Sequence, residues 1–219
     1  MLKAKPDNHG KNPKIDRHFI QFNKNYYKYI EDYDWVEATD KFKGLESIFH
    51  KFREYLIVKL IARYKKNGKI LDAGCGTGLI LRHLPKGSIG VDINPRNIKK
   101  AKEHAPGAKV IKADIEKLPF RDNTYSTIVC TEVIEHQPNP LPAIKELKRV
   151  LAPGGVLIGS TPSKSLVWIL RFLSSTCPRG EPFHKNFTKK ELERLFNDFK
   201  ILKLYPAVFR MSYFFVLEK

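Results

Sequence analysis

The sequence predicts an α/β fold: a doubly wound, seven-stranded, mostly parallel sheet with an antiparallel hairpin at one edge and helices on both faces. The first observation is a series of short runs that are rich in Val and Ile and apolar on both faces, as in strands buried between helices. These runs are KILDA, SIGVD, AKVIKA, YSTIVC and GVLIGS. The second is that segments of helical periodicity separate them. The third is that FKILKLY and YFFVLEK follow each other closely, which favours an antiparallel pair.

The predicted helices are recognised by their ends as well as by their periodicity. The segment LESIFHKFREYLIVKLIARY is predicted to be helical and to lead into the first strand. Another helix is expected to begin near Thr77 and to continue through LILRHL. Asn94 is a favourable N-cap with Pro95 in the first helical position, and Thr188 with Glu191 forms a capping box for TKKELERLF.

The composition favours a protein of the reducing cytoplasm. No apolar run approaches the roughly 20 residues that span a bilayer, and the polar start of the sequence lacks the apolar core of a secretory signal. The three cysteines form no CxxC pair, which argues against a disulfide or zinc framework. The formal net charge of +17 favours anionic partners such as nucleic acid, a membrane surface or an acidic metabolite, or else a lysine-rich soluble surface.

The chain divides into an N-terminal extension, residues 1–44, which is expected to be partly loose, and one α/β domain, residues 45–219. Within the domain the apolar stretch SLVWILRFLSST breaks the alternation of strands and helices. Residues 163–187 around it are interpreted as a lid-like insertion over an apolar substrate. A buried helix that covers the sheet and a patch that touches an anionic membrane are the alternatives. The basic residues that would face lipid headgroups are Lys164, Arg171, Arg179 and Lys185.

The motif LDAGCGTG carries the strongest functional signal. A predicted strand ends at Asp72, and glycines follow at alternate positions, Gly74, Gly76 and Gly78. A turn without side chains lets the backbone approach a bound nucleoside. The spacing differs from the GxGxxG of dinucleotide sites. The next strand ends about 20 residues later in Asp92, where a carboxylate can accept hydrogen bonds from both hydroxyls of a ribose.

Four motifs in this order, LDAGCGTG, VDINP, KADIEKLPF and LAPGGVL, closely resemble those of the class I S-adenosylmethionine-dependent methyltransferases. Within that family, the sequence is most similar to the methyltransferase type 11 group and the ubiquinone-biosynthesis O-methyltransferases. The resemblance covers residues 45–219. It implies a Rossmann-like fold, S-adenosylmethionine as the cofactor and in-line transfer of a methyl group. The N-terminal extension would then cap the cofactor site.

The resemblance also implies roles for individual residues. Arg53 would lie near the carboxylate of the cofactor, and Asp92 would bind its ribose. Asp114 would hydrogen-bond the adenine amino group, and Thr131 would lie near the sulfonium. The complete set of cofactor-binding candidates is Arg53, Asp72, Gly74, Cys75, Gly76, Gly78, Asp92, Ile93, Asp114, Ile115 and Thr131.

The loop TEVIEHQPNP follows the fourth predicted strand, beside the expected position of the methyl group, and has three interpretations. Its Glu132 or His136 can simply organise the loop. His136 can also act as a general base that takes the proton of a phenolic acceptor. Alternatively, Glu132, Glu135 and His136 bind a divalent metal ion together with His184. That layout resembles the ubiquinone-pathway O-methyltransferases and the small-RNA 3′-terminal 2′-O-methyltransferases.

The predicted function is methyl transfer to a small or lipid-like acceptor at oxygen. The apolar insertion supports this prediction. RNA methylation, at a ribose 2′-oxygen or on a base, is the alternative that the net charge supports. Nucleic acid is the weaker partner, because no added RNA-binding module is recognisable and the charge is not concentrated in one stretch. A non-enzymatic binding protein fits the intact cofactor motifs least well.

Overall fold

The structure, a computed structural model, describes residues 15–30, 34–41, 45–165 and 182–219. The described helices are α1 (Arg17–Tyr29), α2 (Trp35–Asp40), α3 (Leu45–Tyr64), α4 (Pro95–His104), α5 (Leu141–Val150) and α6 (Lys189–Leu195). The described strands are β1 (Ile70–Ala73), β2 (Ile89–Asp92), β3 (Lys109–Lys112), β4 (Tyr125–Thr131), β5 (Leu151–Pro162), β6 (Lys200–Ala207) and β7 (Ser212–Glu218).

The seven described strands form one sheet in the order β3-β2-β1-β4-β5-β7-β6. Strands β1 to β5 pair in parallel, whereas β7 runs antiparallel to both β5 and β6. The predicted doubly wound fold with an antiparallel edge is therefore confirmed. The strand order reverses between β1 and β4. The carboxyl ends of these two strands border a crevice, which is where open α/β sheets bind their ligands.

An apolar core lies on each face of the sheet. On one face Ile57 of α3 and Ile98 of α4 are buried together against the strands. On the other face Leu147 of α5 and Leu192 of α6 are buried. The central strand β1 is buried along its whole length. This double coverage explains why the strand sequences are apolar on both faces and do not alternate.

The predicted caps of α4 and α6 are present. The side chain of Asn94 accepts a hydrogen bond from the Arg96 N–H at 2.9 Å, with Pro95 at the first helical position. Thr188 Oγ1 accepts from the Glu191 N–H at 3.3 Å, and the Glu191 carboxylate accepts from the Thr188 N–H at 2.8 Å. Both caps satisfy backbone N–H groups that lack partners within their helices.

The prediction of a helix that begins near Thr77 and continues through LILRHL was wrong. Before β2 this stretch contains only a 3-10 turn, Leu81–His83. Residues 79–81 are all buried, and three consecutive residues do not lie on one face of an α-helix. Gly78 also has φ +96°, outside the helical region. The glycine turn therefore faces the crevice without the dipole of a following α-helix.

The N-terminal extension contains two helices where the weakly periodic sequence had indicated none. Each begins after an aspartate. The Asp16 carboxylate accepts a hydrogen bond from the Phe19 N–H at 2.8 Å, at the start of α1. The Asp34 carboxylate accepts from the Val36 N–H at 3.1 Å, at the start of α2. These N-caps are the local signals that the search for apolar periodicity missed.

Two sequence predictions fall on residues outside the described ranges. Residues 1–14 belong to the part of the extension that was expected to be loose. Residues 166–181 contain most of the predicted lid-like insertion and its apolar stretch. Within the ranges that the structure does describe, no helix is both long enough and apolar enough to span a membrane.

We expect Gly159→Ala to lower the free energy of unfolding by about 3 kcal/mol, because the added methyl group overpacks a closed space. A Cβ on Gly159 of β5 would overlap the Cys130 carbonyl oxygen and would lie 2.5 Å from Cζ of Phe215. Urea denaturation monitored by circular dichroism measures the change. Gly107→Ala is the matched control, since its Cβ would lie 3.8 Å from its nearest neighbour. Equal stability of the two variants would contradict the packing described here.

Candidate active site

A cavity of about 620 Å³ opens in the crevice at the carboxyl ends of β1 and β4. This volume lies within the usual range of small-molecule sites. The segments that follow β1, β2, β3 and β4 all contribute to its lining, and α1, α2 and α3 contribute from the N-terminal side. Because parallel strands carry these segments at one edge of the sheet, residues far apart in the sequence meet in one cavity.

All of the predicted cofactor-binding residues except Gly78 line this cavity. They are Arg53, Asp72, Gly74, Cys75, Gly76, Asp92, Ile93, Asp114, Ile115 and Thr131. The candidates for catalysis and metal binding line it too: Glu132, Glu135, His136 and His184. Gly78 instead faces α4, where an added Cβ would lie 3.2 Å from the Ala101 Cα atom. The structure thus places Gly78 where the turn packs closely on a helix.

The turn after β1 depends on glycine at two positions. Gly74 has φ +77° and Gly76 has φ +52°, both in the left-handed region. A Cβ on Gly74 would overlap the side chain of Val133. The Gly74 N–H donates to the Val91 carbonyl oxygen at 2.8 Å, which ties the turn to β2. Gly76 is open, since the nearest atom to an added Cβ would be Trp35 Cδ1 at 3.9 Å. The backbone at Gly76 is therefore accessible to a ligand.

Asp92 links the end of β2 to this turn. Its Oδ2 accepts a hydrogen bond from the Gly76 N–H at 2.9 Å. Its Oδ1 accepts from the Asn94 N–H at 2.8 Å and from Asn97 Nδ2 at 3.3 Å. Burial raises the pKa of Asp92, although these hydrogen bonds oppose the rise. A carboxylate accepts about four hydrogen bonds. The Ile93 N–H also interacts with this carboxylate, so Asp92 can accept a hydrogen bond from a ligand if the long Asn97 contact is released.

Asp114, the predicted partner of adenine, is paired with the N-terminal helix. Lys24 Nζ of α1 lies 2.8 Å from Asp114 Oδ2 and 2.6 Å from Glu116 Oε2. Burial opposes the charge of Lys24, but the hydrogen bonds to these two carboxylates raise its pKa overall. Asp114 Oδ1 accepts from the Glu116 N–H at 2.9 Å. Lys24 therefore fastens α1 over the end of the cavity that is formed by the loop after β3.

Asp72 is a buried carboxyl group without a partner among the described residues. It lies in β1, which is buried along its whole length, and neither of its oxygens has a hydrogen bond to a described residue. Burial, and then the charge of Asp92, raise the pKa of Asp72 to about 7. A cationic group in the cavity beside it would stabilise the ionised form. Asp72 thus favours a ligand with a positive charge at this end.

Glu132, directly after β4, is held by β5 and α3. It has φ +54°, an unusual conformation for a residue with a side chain. Its N–H donates to the Ser160 carbonyl oxygen at 2.9 Å, and its Oε1 accepts from Ser160 Oγ at 2.8 Å. Arg53 Nη1, predicted near the carboxylate of the cofactor, lies 3.5 Å from Glu132 Oε2. These contacts fix the start of the TEVIEH loop.

Glu135 is fully buried behind His136. Its Oε2 accepts a hydrogen bond from Thr161 Oγ1 at 3.1 Å, and its carbonyl oxygen accepts from the Lys185 N–H at 3.0 Å. Burial, and then the charge of Glu132, raise the pKa of Glu135 well above its usual range. Its Oε1 lies 3.9 Å from His136 Nε2. At this distance the buried carboxyl group and the imidazole at the cavity wall interact electrostatically, without a direct hydrogen bond between them.

His136 is part of an aromatic wall of the cavity. Its ring centroid lies 4.6 Å from that of Tyr27 and 5.3 Å from that of His184. The His136 carbonyl oxygen accepts from Asn23 Nδ2 at 2.7 Å. The Tyr27 hydroxyl donates to the Phe183 carbonyl oxygen at 2.9 Å. Helix α1 thus positions the loop that contains His136.

The geometry does not support the predicted metal site at Glu132, Glu135, His136 and His184. Among the described residues, which include all four, no group of three or more His, Cys, Asp or Glu side chains is arranged to hold a metal ion. Hydroxyl groups of β5 already hydrogen-bond both carboxylates. The spacing ExxEH places these residues along one wall of the cavity. A metal site would also require that their side chains converge on one point.

Sequence reasoning missed several residues of the cavity. Tyr27 and Trp35 line the cavity, whereas the sequence led only to the general expectation that the N-terminal extension caps the cofactor site. The additional lining residues used below are Asn23 and Lys24 of α1, Ile48 and Phe52 of α3, and Phe209 and Met211 between β6 and β7. An aspartate cap ahead of α1 was the available signal for its helix, though not for its position.

The residues present fit S-adenosylmethionine. The open glycine turn lets a ligand approach the protein backbone at Gly76, and Asp92 can accept a hydrogen bond from a ribose hydroxyl in place of the long Asn97 contact. Asp114 and Ile115, the predicted contacts of adenine, line the same cavity. The orphaned carboxyl group of Asp72 suits the cationic methionine end.

Comparison with known proteins agrees with this assignment. Residues 71–159 match the family described as "Methyltransferase domain". The chain is 31% identical over 157 residues to 2-methyl-6-phytyl-1,4-hydroquinone methyltransferase 2 of Oryza sativa subsp. japonica, a match that covers 67% of this chain and 44% of that protein. The chain therefore spans less than half the length of this relative.

A bacterial relative and a solved structure extend the similarity. The chain is 29% identical to the ubiquinone biosynthesis O-methyltransferase of Rickettsia prowazekii, over 82% of this chain and 78% of that protein. It is 25% identical to a crystal structure titled as a SAM-dependent methyltransferase of Methanosarcina mazei, with a TM-score of 0.60 over 73% of this chain and 96% of the other. From its fold, its cavity and these similarities, the chain belongs to the class I S-adenosylmethionine-dependent methyltransferases.

Proposed function

We propose that this chain transfers a methyl group from S-adenosylmethionine to an oxygen atom of a small, lipid-like acceptor. One observation carries the proposal. The same cavity that contains Asp72, Asp92 and the glycine turn extends past Thr131 to His136 and to apolar side chains at its mouth. A cavity that joins a polar cradle to an apolar compartment suits transfer from a nucleoside donor to an apolar acceptor.

The protein's contribution would be mainly to position the reactants and exclude water. S-adenosylmethionine would supply a methyl group that its sulfonium already activates. The backbone at Gly76 and the carboxylates of Asp72 and Asp92 would hold the donor in one orientation. Helix α1, fastened through Lys24 and Asn23, would cover the reacting groups and exclude water.

The acceptor class follows from the cavity and from the relatives. One relative is named for 2-methyl-6-phytyl-1,4-hydroquinone and the other for ubiquinone biosynthesis. A phytyl-substituted hydroquinone combines phenolic hydroxyl groups with a long apolar tail. By analogy, we propose a phenolic head at His136 and an apolar tail along the mouth. Ile48, Phe52 and Phe209 at the mouth are large, apolar and exposed.

His136 is the proposed general base. A phenolic hydroxyl group must lose its proton as its oxygen is methylated, and an imidazole can accept that proton near neutral pH. The Glu135 carboxyl group lies 3.9 Å from Nε2, and an imidazolium formed there would favour the ionised form of this carboxyl group. The tilted contact with Tyr27 and the edge-on contact with His184 would keep the ring at the cavity wall.

Purified protein incubated with methyl-labelled S-adenosylmethionine and a short-tailed hydroquinone should form a labelled methyl ether, detected by mass spectrometry. Parallel reactions with RNA oligonucleotides test the alternative that the net charge of +17 supports. We expect no labelled RNA, because the exposed side chains at the mouth suit an apolar tail better than a phosphate backbone. Labelled RNA without any methyl ether would replace the proposed function with that alternative.

We expect His136→Ala to lower kcat by about 10²- to 10⁴-fold, the usual contribution of a general base, while leaving the affinity for S-adenosylhomocysteine unchanged. His18→Ala is the matched control, because His18 is exposed on α1 outside the cavity. Steady-state kinetics and titration calorimetry measure the two effects. Chelation with EDTA should leave wild-type turnover intact. Loss of turnover on chelation with recovery by Mg²⁺ or Zn²⁺ would favour a metal role and contradict the metal-free base.

Binding of S-adenosylhomocysteine should strengthen as the pH rises from 6 to 8. Asp72 has a pKa of about 7, and the ammonium group at the homocysteine end of the ligand favours its ionised form, so binding releases a proton below that pH. Calorimetry in buffers of different ionisation enthalpy measures this release. Asp72→Asn should abolish the pH dependence.

Asp92→Asn should instead weaken binding by about tenfold or more at every pH, since a charged acceptor of ribose hydroxyls is lost.

The stability of the ligand-free protein gives an independent check on Asp72. Its folded pKa lies above the usual value of about 4 for an unfolded aspartate. Its contribution to stability is therefore present below about pH 4 and is lost as the pH rises through about 7. Asp72→Asn should be more stable than the wild type at pH 8, with a smaller difference at pH 5. A constant difference across this range would contradict the raised pKa.

A further inference from the structure

We propose that the exposed face of α3, together with Phe209 and Arg210, is a docking surface for an anionic lipid bilayer. The inference rests on the proposed lipid-like acceptor, because it assigns the place from which that acceptor enters. The sequence had suggested membrane contact at the apolar insertion, which lies mostly outside the described residues. The docking surface proposed here, called the α3 face below, consists of described residues alone.

Large apolar side chains on this face point into solvent at the mouth of the cavity. Ile48, Phe52 and Tyr55 of α3 are 45%, 53% and 54% exposed. Their spacing of four and three residues places them in one stripe along the helix. Ile48 and Phe52 also line the cavity. The stripe therefore continues from the cavity wall onto the outer surface of the protein.

Phe209 extends the apolar surface from the other side of the mouth. It lines the cavity and is 75% exposed. The turn between β6 and β7 has three consecutive residues in the left-handed region: Val208, Phe209 and Arg210 have φ of 51°, 55° and 63°. Such a conformation is costly for residues with side chains. Here it keeps the Phe209 ring exposed to water, although an exposed aromatic ring does not stabilise a soluble surface.

The charge of the same face complements an anionic bilayer. Continuing along the stripe, Lys59 and Arg63 are exposed, and Lys65, Lys66 and Lys69 follow the helix. Within the described side chains of α3, residues 47–64, the acidic residue Glu54 is nearly buried and paired with Arg82 and His83. An apolar stripe that leads into a basic one matches the order of acyl chains and headgroups at a membrane surface.

This arrangement would solve a problem of substrate entry. An acceptor with a long apolar tail resides in a bilayer, whereas the cofactor is water-soluble. With the α3 face against the headgroups, the mouth of the cavity would open toward the bilayer and the tail could remain partly in the membrane. The proposed occupant is thus a lipid surface rich in anionic headgroups, not a protein partner.

Flotation with vesicles tests the proposal without any assay of activity. The full chain should float with vesicles of phosphatidylcholine containing about 30% phosphatidylglycerol and should remain behind with phosphatidylcholine alone. Phe52→Ser combined with Phe209→Ser should lower the partition coefficient by about tenfold or more. Lys59→Glu combined with Arg63→Glu should lower it similarly and remove its dependence on salt. Circular dichroism verifies that each variant is folded.

Matched changes on the opposite face of the sheet are the controls. Leu141→Ser on α5 removes a side chain that is 40% exposed, and Lys189→Glu with Lys190→Glu on α6 reverses two exposed charges. Neither should change the partition. The proposal is overturned if the wild type floats equally with both vesicles, if it floats with neither, or if the controls lose as much as the α3 variants. It is also overturned if sedimentation shows a dimer that Phe52→Ser with Phe209→Ser disrupts.

A paired activity assay separates failure of this inference from failure of the proposed function. Tyr55→Ser with Lys59→Glu lies outside the cavity lining. It should leave turnover of a short-tailed, water-soluble hydroquinone unchanged and lower turnover of a long-tailed one in anionic vesicles by about tenfold. Equal turnover of both acceptors would overturn the docking surface alone. No turnover of either by the wild type would refute the proposed function, whatever the flotation shows.

Discussion

The hydrogen bond from the Gly76 N–H to the Asp92 carboxylate joins the ends of the first two strands, and the site depends on it. It requires Gly76 in the left-handed region, where a residue with a side chain is strained. It also requires a charged acceptor in a nearly buried position. With the turn held this way, the backbone at Gly76 stays open to a ligand. The missing α-helix after the turn shows that the geometry comes from this bond and not from a helix terminus.

Two unneutralised carboxylates beside one another would be unfavourable in most buried places. Asp72 and Asp92 each raise the cost of the other's charge, and Asp72 has no described hydrogen-bond partner. The cost has a physical rationale if a cation completes the site. In the ligand-free protein the charges of Asp72 and Asp92 then lower the stability of the fold. A bound cation would remove this cost, so the relief of their repulsion would contribute to the binding free energy.

The sheet and the cradle could be predicted because local patterns determine them. Strands apolar on both faces identify a parallel sheet, and glycines at Gly74 and Gly76 mark a turn with special backbone angles. Asn94 and Thr188 mark the starts of α4 and α6, because their side chains cap the first backbone N–H groups of these helices. By contrast, the Lys24 contact with Asp114 and the Asn23 contact with His136 join residues 90 and 113 positions apart. No local pattern encodes such contacts. The resemblance implied that the extension caps the cofactor site, but the sequence identified neither α1 nor its contacts.

The same distinction explains the TEVIEH loop. Its spacing brings Glu132, Glu135 and His136 to the lining of one cavity. Whether the carboxylates converge on a metal ion depends on what β5 presents to them. Ser160 and Thr161 hydrogen-bond one carboxylate each and separate their roles, one bracing the loop and the other facing the imidazole.

The position of the basic residues on the surface says more about binding than the net charge of +17 does. A uniformly basic surface would favour any anion and would not select among partners. On α3 the basic residues continue an apolar stripe that ends at the mouth of the cavity. Charge alone attracts the protein to an anionic surface, whereas exposed aromatic rings at one place define its orientation. Orientation matters here because only one face of the molecule leads to His136 and the cofactor cradle.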